Sequence, residues 1–370
     1  MRKPVFAGYL ADPFLARFDG EYVAYGSGDP KIAPRGFEAL RSRDLRSWTS
    51  VGTVFAGTDP DLGDAYWAPE VAFWGGRYWM YYSLGHGIVG HHIRVAVADS
   101  PFGPFEDTGV NLTPEEDFAI DAHPFRDTDG SRYLFFARDV LDAQRPGTHL
   151  AVKRMTSMTG VTAASTTVLA PDSDWQIYER SRLMYGRVLD WYTLEGPTVV
   201  YRGGRYHLFF SGGSWEGSGY GVSVATATNP LGPWLHTPAR VPDVLSTAIT
   251  GLSGPGHNSV LLRGDEASDL IAYHAWNREG VETADVPGLL AMAPRRRAFR
   301  DSDDGREFTT ETIRTGTDRD PGGVLRQAGN PAVEDVPKFL RKIVEKPKVA
   351  PFAVARVPRT TSVSIGVSFP

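Results

Sequence analysis

The chain has 370 residues, 41% of them hydrophobic, 22% charged and 12% aromatic, with a formal net charge of −5. That is enough apolar material for a large core, and the scattered basic residues do not form the patch that nucleic-acid binding needs. No apolar run is long enough to span a membrane, and patterned sequence begins too early for a secretory signal. No membrane partner is therefore expected, and the location is read as cytoplasmic, or secreted if the N-terminus has been trimmed. The absence of cysteine excludes disulfides, thiolate metal sites and a cysteine nucleophile.

From the N-terminus onward one pattern recurs: a short apolar run, a Gly or Asp-Gly turn, then an aromatic-rich run with period-two alternation. The copies are "FLARFDGEYVAYGSG", "VAFWGGRYWMYYSLG", "PFRDTDGSRYLFFAR" and "VVYRGGRYHLFFSGG", each predicting a β-hairpin. Their marker aromatics Tyr22, Tyr78, Tyr133 and Tyr206 are 56, 55 and 73 residues apart, and a weaker fifth copy, "SVLLRGDEASDLIAYHAW", sets Leu270 another 64 residues on. Five units of blade length predict an all-β, five-bladed β-propeller. "RDLRSWTS" (43–50), "SPFGPFED" (100–107) and "NPLGPWLH" (229–236) fit the turn into an outer strand.

After Trp276 the composition changes: every Trp, Tyr and His lies at or before it, and the remaining 94 residues contain none. Residues 1–276 are read as the propeller, with a fifth blade that is incomplete unless later residues finish it. Residues 277–370 are read as an atypical, largely irregular tail. Within the tail, Val333, Val336, Phe339, Leu340 and Ile343 follow helical spacing and predict a short helix over 332–346.

Eight to thirteen residues before each marker stands an ionisable group: Asp12, Glu70, Asp121, Glu195 and His257. At the start of each innermost strand, these side chains converge near the propeller axis. Gathered carboxylates in a partly dry cavity push at least one pKa upward, which separates a proton donor from a base and suits glycosidic bond cleavage. An Asp or Glu beside Pro is also common turn chemistry, but turns do not require the same offset in five units. His257, in a Gly-Pro-Gly-His-Asn stretch, is read either as satisfying backbone groups or as a metal or water-bridging ligand.

At these residues the chain resembles glycoside hydrolase family 43, the five-bladed arabinanases, α-L-arabinofuranosidases and β-xylosidases. Five ordered blocks carry the resemblance across residues 5–276: "ADPFLARFDGEYVAYGSG", "YWAPEVAFWGGRYWMYYS", "AIDAHPFRDTDGSRYLFFARD", "LEGPTVVYRGGRYHLFFSGGSWEGSGYG" and "GPGHNSVL" with "AYHAW". It implies an inverting hydrolase of arabinose- or xylose-containing oligo- or polysaccharides, with arabinofuranosidase or arabinanase activity foremost and β-xylosidase or a silent sugar-binding propeller as alternatives. Asp12 then corresponds to the general base, Glu195 to the general acid and Asp121 to the carboxylate that orients the acid. No cofactor is required for this chemistry, and the histidine matching His257 implies a structural calcium nearby. Trp67 and Trp215 are candidates for stacking on sugar, with core or rim packing as the alternative. Glu70 and His86, the latter in "GHGIVGHH", complete the candidate substrate contacts. A retaining fructan-type propeller would begin Asn-Asp-Pro-Asn, and "LADPF" lacks both asparagines. The resemblance stops at Trp276, where "NREGVETADVPGLL" replaces the family's closing strand pair.

Overall fold

Two-residue turns with both φ positive, Asp19-Gly20, Gly75-Gly76 and Gly203-Gly204, reverse the chain between the first two strands of three blades. That geometry matches the right-handed twist of paired strands, so the turn residues predicted from sequence set the register. The computed structural model describes residues 6, 9–28, 36–262 and 268–276, with the backbone of three later strands, Leu290–Arg295, Thr309–Glu311 and Phe352–Pro358. The helix predicted at 332–346 lies outside the described residues.

Blade one is an antiparallel sheet of Ala11–Phe18, Glu21–Ser27, Phe37–Ser42 and Thr49–Phe55, and blade two repeats it with Ala65–Trp74, Arg77–His86, Val89–Ala98 and Glu106–Asn111. Blade three is built on Ala119–Arg126, Arg132–Val140, Gly147–Ser157 and Thr166–Leu169. Blade four is built on Arg187–Arg202, Arg205–Gly212 and Gly221–Ala227, and a short parallel pairing of Gly147 and Thr148 with Tyr192 and Thr193 joins these two blades into one sheet. Blade five pairs Ser253–Leu261 with Ser268–Trp276. Its third strand comes from Phe352–Pro358, which runs antiparallel to Ser268–Trp276, and Leu290–Arg295 and Thr309–Glu311 extend the sheet. Three tail segments are therefore strands that the sequence pattern did not single out.

Alternation along each second strand divides its side chains between two neighbours. In blade one, Tyr22 and Ala24 pack toward blade five, whereas Val23 and Tyr25 pack toward blade two. Each of the five inter-blade seams has its own apolar cluster, and the seam between the last and first blades is closed by Leu10, Leu15, Leu270 and Ala272. Each large side chain buried there contributes about 1.5–3 kcal/mol. The marker residues Tyr22, Tyr78, Tyr133, Tyr206 and Leu270 are all buried, and Tyr206 donates across a seam to the Asp127 carboxylate at 2.9 Å.

Candidate active site

Every innermost strand carries a β-bulge at the same place. The strand pairing slips by one residue around Asp12, Ala68, Asp121, Gly196 and His257, and these five residues have φ of 49°, 46°, 62°, 55° and 45°. Left-handed backbone costs a non-glycine residue on the order of 1 kcal/mol and re-aims its side chain, a common device beside active sites. The bulge corrects the sequence alignment of the five ionisable groups. Asp12, Asp121 and His257 occupy the bulge itself, Glu195 precedes it and Glu70 follows it by two residues, with Ala68 and Gly196 at the equivalent positions.

An axial cavity is lined by Asp12, Pro13, Ala68, Glu70, Asp121, Gly196 and His257. Ser27 donates to Asp12 Oδ2 at 2.5 Å, His274 Nδ1 accepts the Asp12 amide at 3.2 Å, and His257 Nδ1 lies 3.2 Å from Asp12 Oδ1. Burial alone would raise the Asp12 pKa. The His257 charge, with the contacts to His274 and Ser27, outweighs it and holds the carboxyl well below the usual carboxylate range.

At Glu195 the balance is reversed. Burial first, and then the charge of Asp121, push Glu195 up to about 8, against the opposing effects of His257 and Tyr220. Tyr220 is fully buried and donates to Glu195 Oε1. Asp121 itself is raised to about 6, mainly by burial, while His257 and the Gly196 N–H, which donates to Asp121 Oδ2 at 2.9 Å, act against the rise. His257 is raised because the surrounding carboxylates outweigh its burial. Asp12, held low, lines the axial cavity, whereas Glu195, pushed up, is outside that lining and adjoins it through Gly196.

The remaining candidates are distributed as follows. Glu70 lines the cavity and binds His123 Nδ1 at 2.7 Å. Trp67 stacks on His91 with ring centroids 3.6 Å apart. Trp215 is half-buried, stacks on Trp276 at 6.0 Å, and accepts from its indole through the backbone carbonyl at 2.6 Å. His86 is exposed at a hairpin end and lies outside the cavity lining. The histidine to which the resemblance assigns a calcium, His257, lines the axial cavity beside Asp12. His257 Nδ1 faces Asp12 at 3.2 Å and Asp121 at 3.9 Å. Among the described residues, no three His, Asp or Glu side chains are grouped to hold a metal ion.

Sequence reading missed Tyr220, Ser27, His274 and His123. "GSGYG" reads as a turn, yet its Tyr220 fills the space beside Gly256, where a Cβ would stand 1.9 Å from the ring. The available signal for Ser27 was its recurrence, since the second strands of blades one, two and four each carry a serine at this level.

Residues 1–290 match the family described as Glycosyl hydrolases family 43. A β-D-galactofuranosidase of Aspergillus niger is 30% identical over 291 residues, covering 73% of this chain and 75% of that protein. An extracellular exo-α-(1→5)-L-arabinofuranosidase of Streptomyces chartreusis is 28% identical, covering 72% of this chain and 79% of that protein. Among solved structures, an endo-1,4-β-xylanase from Bacteroides thetaiotaomicron superposes with a TM-score of 0.60 at 28% identity, over 75% of this chain and 88% of that one. With the matched residues spanning all five inner strands and the axial carboxylates, this chain belongs to glycosyl hydrolases family 43.

Proposed function

We propose that this glycoside hydrolase releases α-L-arabinofuranosyl residues from pentose-containing glycans by single-step inversion. The observation that carries the reading is the opposite shift of two buried carboxyls that share His257 as a neighbour: Asp12 is held low and Glu195 is pushed up to about 8. Glu195 gives its proton to the glycosidic oxygen as the C1–O bond breaks. A water held by Asp12 attacks C1 from the opposite face and passes its proton to Asp12. Solvent then returns Asp12 to the ionised form and Glu195 to the protonated form. Asp121 keeps Glu195 protonated by its charge. An inverting pair stands about 6.5–9.5 Å apart so that the water fits between. The protons come from Glu195 and water, so the step needs no cofactor.

The furanoside preference draws on the names of the relatives. α-L-Arabinofuranose and β-D-galactofuranose share their ring configuration and differ in the exocyclic chain, so one cavity shape serves both. The Streptomyces relative is an extracellular enzyme, which speaks for the secreted alternative over a cytoplasmic location.

The test is side-by-side hydrolysis of aryl α-L-arabinofuranoside, β-D-galactofuranoside and β-D-xyloside, with the first product anomer read by proton NMR. Inversion on the arabinofuranoside is expected. Glu195→Ala should retain turnover only for aryl groups that leave without protonation. Retained configuration would remove the mechanism, and unchanged turnover of poor leaving groups in Glu195→Ala would remove the acid. No turnover of any substrate would leave a sugar-binding propeller.

A further inference from the structure

In four of the five blades the bulge amide is bound by the second strand of the preceding blade, from one fixed register. The residue facing the position just before the bulge is Ser27 in blade one, Ser83 in blade two, Ala137 in blade three, Ser211 in blade four and His274 in blade five. Ser27 Oγ accepts the Ala68 amide at 2.9 Å, Ser83 Oγ the Asp121 amide at 3.0 Å, and Ser211 Oγ the His257 amide at 2.8 Å. His274 Nδ1 accepts the Asp12 amide at 3.2 Å and completes the circuit. The gap is at Ala137, whose methyl cannot accept. There the Gly196 amide donates instead to the catalytic-site carboxylate of Asp121, at 2.9 Å.

We propose that Ala137 is a positioning residue for the proton donor: the acceptor missing from this one link of the ring draws the Asp121 carboxylate onto the Glu195–Gly196 peptide. A buried amide needs an acceptor, and Ala137 is fully enclosed in the seam between blades three and four, so the nearest available group is the carboxylate itself. Blade one shows what a hydroxyl at this level does. Ser27 accepts the next blade's amide and also donates to Asp12, standing between the carboxylate and that amide. A hydroxyl at residue 137 would stand in the same way between Asp121 and Gly196. The groups facing Asp121 come from the other four blades, namely Asp12, Glu70, Glu195 with Tyr220, and His257, while His123 on its own strand is engaged by Glu70. Among these, the Gly196 link sets how near the Asp121 charge stands to Glu195.

This inference rests on Glu195 as the acid, and its test separates the two. In Ala137→Ser the hydroxyl should take over the Gly196 amide, visible in a crystal structure and in the Gly196 amide proton shift. The alkaline limb of the kcat–pH profile should then move down by about half to one pH unit, with a several-fold loss of kcat at pH 8 and little change in KM. Ala137→Gly keeps the gap and should leave the limb in place. A hydroxyl bonded to Gly196 with an unmoved limb overturns the proposal, as does a hydroxyl that fails to reach the amide or an equal shift in Ala137→Gly. Failure of the acid assignment would show separately, as unchanged turnover of poor leaving groups in Glu195→Ala, while the amide shift would still report whether the link had been exchanged.

Discussion

Replacing Asp121 by asparagine removes a charge but keeps an acceptor for the Gly196 amide, so its effect on Glu195 is almost purely electrostatic. Asp121 Oδ2 is 2.9 Å from the Gly196 nitrogen, and Glu195 is the residue before it. One peptide unit and the Glu195 side chain lie between them, which makes the separation of the two carboxyls on the order of 6 Å. Unit charges about 6 Å apart at an effective dielectric constant of about 20 interact by about 3 kcal/mol, or about two pKa units. The alkaline limb, set by a Glu195 pKa of about 8, should fall toward about 6 in Asp121→Asn. Burial, the larger cause of the rise, persists in the variant and holds Glu195 above its ordinary 4.5. At pH 7.5 the protonated fraction would drop from about three quarters to a few per cent, predicting a roughly 25-fold loss of kcat. The assay is kcat against pH on an arabinofuranoside with a poor leaving group, with circular dichroism to establish that the variant is folded. A folded variant whose alkaline limb stays near that of the parent would refute the electrostatic role assigned to Asp121.

Three further substitutions probe the supports of the site. Tyr220→Phe removes a donor that favours ionised Glu195, so the same profile should shift its alkaline limb upward, opposite to Asp121→Asn, with a stability loss of about 1–2 kcal/mol in urea. Ser27→Ala deprives both Asp12 and the Ala68 amide of their partner; kcat should fall at every pH, and denaturant unfolding should show a loss of about 1–3 kcal/mol. Gly256→Ala places a methyl 1.9 Å from a Tyr220 ring carbon, and a melting temperature equal to that of the parent would contradict the packing described. The expected cost is about 1–3 kcal/mol or more, because both the ring and the backbone are enclosed.

The hairpins were legible because their determinants are local. Asp-Gly and Gly-Gly pairs fix the turns, and alternation assigns each strand two buried faces, as expected of a blade packed between two others. The convergence of Asp12, Asp121, Glu195, Glu70 and His257 was legible as recurrence, although counting from the marker aromatics blurred the register. Blade three has four residues from Ala137 back to its marker Tyr133, where blades one, two and four have five from their serines to Tyr22, Tyr78 and Tyr206. Tyr220 was illegible because its value lies in a contact with a glutamate 25 residues away, which no local pattern encodes. The strand Phe352–Pro358 was missed for a related reason: "FAVARVP" has the alternation of a strand, but its partner lies more than seventy residues earlier, at Ser268–Trp276.

The pKa values of Asp12 and Glu195 move in opposite directions because the ring around them is asymmetric. Both lose solvation, which raises both pKa values. Blade five, next to blade one, supplies His257 and His274, and blade one supplies Ser27; all three act on Asp12 and favour its charge. Blade three, next to blade four, presents a second carboxylate at the seam where the other blades present a serine or histidine, and Asp121 acts on Glu195 against its charge. A regular propeller with identical links at every seam would supply no such bias. On the proposed mechanism, the division between base and acid arises where the repeat is broken, at the histidines of blade five and at the alanine of blade three.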